Sequence, residues 1–132
     1  MTLSDPISDM LTRIRNAARV KKSKVDIRRS KLCWGLAQIL QREGFVHDCK
    51  EIDEGPQGTI RVYLKYGPDG EDAIRTIDRV SKPGRRIYQQ VSDIDPILNG
   101  MGVSIFSTSK GVMTDRECRE NNIGGECLAR VT

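Results

Sequence analysis

Apolar residues recur at helical spacing from Ile7: Met10, Leu11, Ile14 and Ala18 fall on one face, while Asp9, Thr12, Arg13, Asn16 and Arg19 share the other. Asp5-Pro6 in front of this run supplies an N-cap and a proline at the first helical position, so a helix is predicted to start there. The V-D-I-R that follows the cationic turn K-K-S-K reads as a short strand. Ser30 then caps a second amphipathic helix with Leu32, Cys33, Leu36, Ile39 and Leu40 inside, and Gly44 ends it. Trp34 flanks that apolar stripe, a position that either seals a core edge or marks a partner contact. Residues 45–52 and 59–66 bracket G-P-Q-G. In the second run Ile60, Val62, Leu64 and Tyr66 alternate with Thr59, Arg61, Tyr63 and Lys65, the period of a half-buried strand in a hairpin.

G-P-D-G-E-D at 67–72 holds no apolar residue and reads as a linker. It divides the chain into an N-terminal α-β-α-β-β lobe over 1–66 and a C-terminal lobe over 73–132. In the second lobe the pattern predicts a strand near 73–80, the turn S-K-P-G, a strand through Arg86-Ile87-Tyr88, a short helix at Asp95-Pro96 and the strand V-S-I-F. Thr114-x-x-Glu117 matches a capping box for a short helix that Asn121-Asn122 stops, and Gly124-Gly125 turns into a last strand. The predicted class is α+β in two small lobes, the second mostly β with short helices.

Composition narrows the function. With 37% apolar and 30% charged residues the chain is an ordinary globular one, and no apolar run reaches the length of a membrane span. The start M-T-L-S-D-P lacks the pattern of a signal peptide, so a cytoplasmic place and no membrane partner are expected. The net charge of +4 is uneven: residues 1–66 carry thirteen basic and eight acidic side chains, whereas 67–132 carry nine and ten. Nine cations lie within Arg13–Lys31 against the single anion Asp26, the footprint of a polyanion partner or simply a solvated face. Cys33, Cys49, Cys118 and Cys127 form no C-x-x-C pair and His47 has no ligand partner at suitable spacing, so reduced thiols, no metal and no cofactor are expected.

The chemistry concentrates in S-T-S-K-G-V-M-T-D at 107–115. Ser107 with Lys110 is a conceivable nucleophile pair, yet no general base or orienting third group accompanies it. The glycine order is the reverse of a nucleotide-binding P-loop. Short hydroxyl donors, one long cation and a glycine remain, a set that suits phosphates, ribose hydroxyls and base edges, or else a turn that satisfies its own backbone. A second platform, R-V-S-K-P-G-R-R-I-Y at 79–88, places Lys82, Arg85 and Arg86 about a Pro-Gly turn beside Tyr88. There cations can hold a backbone while the ring stacks, or a basic hairpin can carry a half-buried tyrosine. Three readings compete: an RNA-binding structural protein, an enzyme using Ser107 and Lys110, and a protein-interaction module centred on Trp34.

Beyond their chemistry, D-P-I-x-D-M-L-T-R-I-R-N-A at 5–17, S-K-L at 30–32, E-G-F at 43–45, L-K-Y at 64–66, R-V-S-K-P-G-x-R-I-Y at 79–88, G-x-G-V-S-I-F-S-T-S-K-G-V-M-T-D-R-E at 100–117 and G-G-E at 124–126 resemble, in order, the bacterial small-subunit ribosomal protein S8 family. The resemblance implies a structural protein of the ribosome that binds the central domain of small-subunit rRNA and supports assembly of the 30S platform, and no enzyme. It implies that Ser107, Thr108, Ser109, Lys110 and Gly111 enter an RNA minor groove, with Gly124, Gly125 and Glu126 beside them and Tyr88, Arg86 and Lys82 near. It gives Asp5, Thr12, Arg13, Asn16 and Lys31 to a neighbouring RNA segment, and neighbouring small-subunit proteins as further partners. Some members of that family also bind their own operon mRNA, which leaves autoregulation open here. Ile27-Arg28-Arg29 and Cys33-Trp34 depart from the residues usual in that family, so the partner of that edge stays open.

Overall fold

The computed structural model describes residues 5–94 and 102–132. The helix expected at Asp95-Pro96 lies outside them. The chain forms two compact units, Met1–Arg75 and Thr76–Thr132.

In the first unit α1 (Pro6–Arg19) starts where the caps require. The Asp5 carboxylate accepts the Ser8 N–H at 3.1 Å, and Ile7, Met10, Leu11, Ile14 and Ala17 are buried. Strand β1 (Lys24–Arg28) follows, and then α2 (Lys31–Arg42), whose first turn is tied by the Ser30 hydroxyl accepting the Cys33 N–H at 3.1 Å. Strands β2 (Val46–Ile52) and β3 (Thr59–Leu64) complete an antiparallel sheet in the order β1-β3-β2. Ile60, Val62 and Leu64 point inward along β3 as their alternation predicts. Two expected core positions differ. Leu32, at the edge of the stripe in the first turn of α2, is 41% exposed, and Ala17 rather than Ala18 is fully covered at the end of α1. Residues 67–72 fold as a turn on this unit: the Gly67 N–H donates to the Glu71 carbonyl, and the Lys21 ammonium reaches Asp72 at 2.6 Å and the Gly70 carbonyl at 2.8 Å.

The second unit is a sheet in the order β4-β8-β6-β7, with β5 also paired to β8. Its strands are β4 (Ile77–Arg79), β5 (Tyr88–Gln89), β6 (Val103–Thr108), β7 (Gly111–Thr114) and β8 (Gly125–Val131). Helix α2 is followed here by α3 (Asp115–Asn121), whose Thr114 and Glu117 form the expected capping box and whose end is Asn122 in the left-handed region at φ 53°. Phe106, Met113, Cys118, Cys127 and Ile94 form a core cluster, and complete burial of Phe106 alone contributes about 1.5–3 kcal/mol.

The strand expected near 73–80 shrinks to Ile77–Arg79, because Ile74 is buried in the first unit while Ile77 pairs beside Val131 in the second. The one at 86–88 shifts to Tyr88–Gln89, because the Ile87 N–H is taken by a serine side chain instead of a strand partner. Among the described residues no helix is long and apolar enough to cross a membrane.

Candidate nucleic-acid interface

The S-T-S-K-G stretch after V-S-I-F is a tight hairpin. Strand β6 runs through Thr108, Ser109 and Lys110 make the turn, and β7 leaves at Gly111, with Thr108 paired to Gly111. Gly111 sits at φ 110°, which a glycine adopts without strain. The Thr108 hydroxyl is committed to the turn itself, accepting the Lys110 N–H at 3.1 Å and donating to the Gly111 carbonyl at 2.8 Å. The Ser109 and Lys110 side chains are exposed, and neither they nor the Ser107 hydroxyl make a hydrogen bond or ion pair among the described residues. Nothing there activates Ser107 as a nucleophile.

A bulge decides what Ser107 faces. Ile105 pairs with Ala129 and the next residue, Phe106, with Cys127, so Leu128 is the extra residue in β8. Past it Phe106 and Cys127 stay in the core, while Ser107 lies opposite Glu126, which lies opposite Tyr88 on β5. Directly opposed residues share a face, so Ser107, Glu126 and Tyr88 form one row across three strands, spanning about 10 Å at two strand spacings. Tyr88 is 69% exposed.

Glu126 is bound within the protein: one of its carboxylate oxygens accepts the Ser81 hydroxyl at 2.6 Å and Arg86 at 2.9 Å. Partial burial works against ionisation, but those two hydrogen bonds and the charges of Arg86 and Arg79 outweigh it and hold the carboxyl below the usual glutamate range. Lys82-Pro83-Gly84-Arg85 is a turn closed by reciprocal backbone hydrogen bonds of 3.0 and 2.9 Å, and both of its cations are exposed. Gly124 and Gly125 are required by packing. A methyl on Gly124 would run into the Gln89 carbonyl, and one on Gly125 into the Ser107 carbonyl.

The remaining expected residues belong to the first unit. Asp5 caps α1, while Thr12, Arg13, Asn16 and Lys31 are exposed. Arg13 pairs with Asp9 at 2.9 Å and, with Asn16, Val20, Lys22, Lys24 and Asp26, lines an open groove between α1 and β1. The cationic stripe is partly neutralised, with Lys21 on Asp72 and Arg29 on Glu51, each at 2.6 Å. Arg19, Lys22, Arg28 and Lys31 make no ion pair among the described residues.

Sequence reasoning passed over Ser81. It sits inside R-V-S-K-P-G, where a serine ahead of a Pro-Gly turn looks solvated, yet it is completely buried.

These features define an α+β protein of two units, the second of which carries Ser107 and the open ring of Tyr88 in one row of its sheet, with Ser109 and Lys110 at a hairpin tip and Lys82 and Arg85 on a turn. A family model described as ribosomal protein S8 matches residues 5–132. A small ribosomal subunit protein uS8 from Rhodopirellula baltica is 54% identical over 132 residues, covering 98% of this chain and 99% of the relative. Proteins of the same name from Streptococcus equi subsp. zooepidemicus and Streptococcus pneumoniae are each 50% identical over 131 residues, covering 99% of both chains. The chain belongs to the ribosomal protein S8 family, a family of structural ribosomal proteins rather than enzymes.

Proposed function

We propose that this chain binds the central domain of small-subunit rRNA through the β5, β8 and β6–β7 face of its second unit, as a structural constituent of the small ribosomal subunit in the cytoplasm. The row Ser107–Glu126–Tyr88 carries this reading: a hydroxyl with no partner among the described residues at one end, an exposed ring at the other, and a carboxylate between them already satisfied by protein donors. Ser107 and Ser109 offer short donors and acceptors to ribose hydroxyls and base edges, where a long side chain would stand off. Lys82, Arg85 and Lys110 meet phosphates, and Tyr88 stacks on a sugar or base. Because Glu126 is engaged by Ser81 and Arg86, its charge is offset locally before RNA arrives.

The groove of Arg13, Asn16, Lys22 and Lys24 gives the first unit a separate contact to another RNA segment. Neighbouring small-subunit proteins cover remaining surface such as Leu32 and Trp34. An operon mRNA folded into the same shape would present the same contacts, and autoregulation follows from that competition. The test is to immobilise the full chain, offer it fragmented total RNA and sequence what is retained. Enrichment of one central-domain segment is expected. Recovery in proportion to abundance would overturn the reading.

A further inference from the structure

We propose that Ser81 is a positioning residue for the RNA-contacting face, setting the Lys82–Arg85 turn, Arg86 and Tyr88 in register with Ser107; the proposal rests on the RNA reading above. Ser81 has no exposed surface. Its main chain is held by β8, since its N–H donates to the Cys127 carbonyl at 2.9 Å and that of Val80 to the Leu128 carbonyl at 3.1 Å. Its hydroxyl donates to Glu126 at 2.6 Å and accepts the Ile87 N–H at 2.9 Å.

Those two bonds close a loop of structure. Residues 82–85 leave Ser81 as a tight turn, and Ile87, on its far side, comes back to the same oxygen. The Ile87 carbonyl in turn accepts the Cys127 N–H at 3.0 Å, next to the Glu126 that holds Arg86. One buried oxygen thus joins both feet of the cationic turn to the carboxylate in the middle of the row, one residue before the exposed ring. A buried hydroxyl with two directed partners fixes a single geometry, because breaking either bond strands a polar group away from water.

The consequence is selective. A lysine or arginine on a loosened turn still finds phosphates, since charge acts at a distance and phosphates repeat along any RNA. Stacking by Tyr88 and contacts from Arg86 require a fixed position relative to Ser107, and such contacts discriminate one RNA from another.

The experiment uses full-length Ser81→Ala and two probes: the central-domain transcript retained by the wild type and a duplex RNA of unrelated sequence. The expected result is a roughly tenfold rise in Kd for the transcript, the size of one lost buried hydrogen bond. Kd for the duplex and the salt slope should stay within about twofold of wild type. In NMR titrations the Glu126 carboxyl should move up in pKa, because one of the hydrogen bonds lowering it has gone. Ser81→Cys, of similar volume with a weaker donor and acceptor, gives the same ordering at smaller size and serves if the alanine chain does not fold. Equal losses on both RNAs, or undiminished binding to the transcript, would overturn the role of Ser81. Absence of any preference in the wild-type chain would instead count against the RNA reading itself.

Discussion

Asp26 and Arg61 stand opposite each other on β1 and β3, and both carboxylate oxygens accept a guanidinium hydrogen bond, at 2.8 and 3.1 Å. The only anion in the cationic stripe is therefore hydrogen-bonded across the sheet to a residue outside that stripe. Those hydrogen bonds are the largest cause of a lowered Asp26 pKa; slight burial opposes them, and the charges of Arg61 and Lys24 add to them. A carboxyl whose folded pKa is depressed contributes stability that is complete above its unfolded value of about 4 and is lost as pH falls through the folded one. Urea denaturation between about pH 6 and pH 3 should show a shallower acid loss for Asp26→Asn than for wild type. Matching slopes would mean that the pair adds nothing.

Lys110→Ala should weaken binding to central-domain RNA by about 1–3 kcal/mol without moving the thermal transition, since the side chain is exposed and makes no hydrogen bond or ion pair among the described residues. Isothermal titration beside circular dichroism melting separates the two. An unchanged affinity would make the hairpin tip a bare turn.

Thr108→Ala should behave differently from its neighbour. Its hydroxyl closes the turn, so removing it should lower stability by about 1 kcal/mol and weaken RNA binding with it, while Thr108→Ser keeps both. If the alanine variant binds poorly yet melts as wild type does, the hydroxyl acts on the RNA and not on the turn.

Arg28 and Arg29 are adjacent but unequal. Arg29 is paired with Glu51 at 2.6 Å, whereas Arg28 makes no ion pair among the described residues. Arg28→Ser should flatten the plot of log affinity against log salt by about 0.7–0.9, the value of one phosphate contact, and Arg29→Ser by clearly less. Equal slopes in the two variants would remove the distinction.

Gly125→Ala places a methyl against the Ser107 carbonyl, a backbone atom that can yield only if β6 moves. A loss of about 1–3 kcal/mol in chemical denaturation is expected, typical of overpacking. Wild-type stability in this variant would show that the strands have room to separate.

The longer elements were legible because each carries its own signals. Asp5-Pro6, Ser30 and the Thr114–Glu117 box mark helix starts chemically, and β3 repeats its alternation for six residues. From sequence, strands β4 and β5 take the wrong bounds and β7 goes unread, because at two to four residues long they carry too little period to fix their ends; pairing with distant β8 or with β6 sets them. The same holds for the interface. Lys110 and Tyr88 announce themselves by type, but the role of Ser81 depends on burial beneath Glu126, and the alignment of Ser107 depends on a bulge at Leu128 that no local signal marks.

The two-residue turn at Ser109–Lys110 has a kinetic consequence. Its backbone is already fixed by strand pairing and by Thr108, so a docking partner freezes almost no chain motion there. Encounter rates should be nearly the same for good and poor RNA partners, and the differences among them should lie in how long each complex survives.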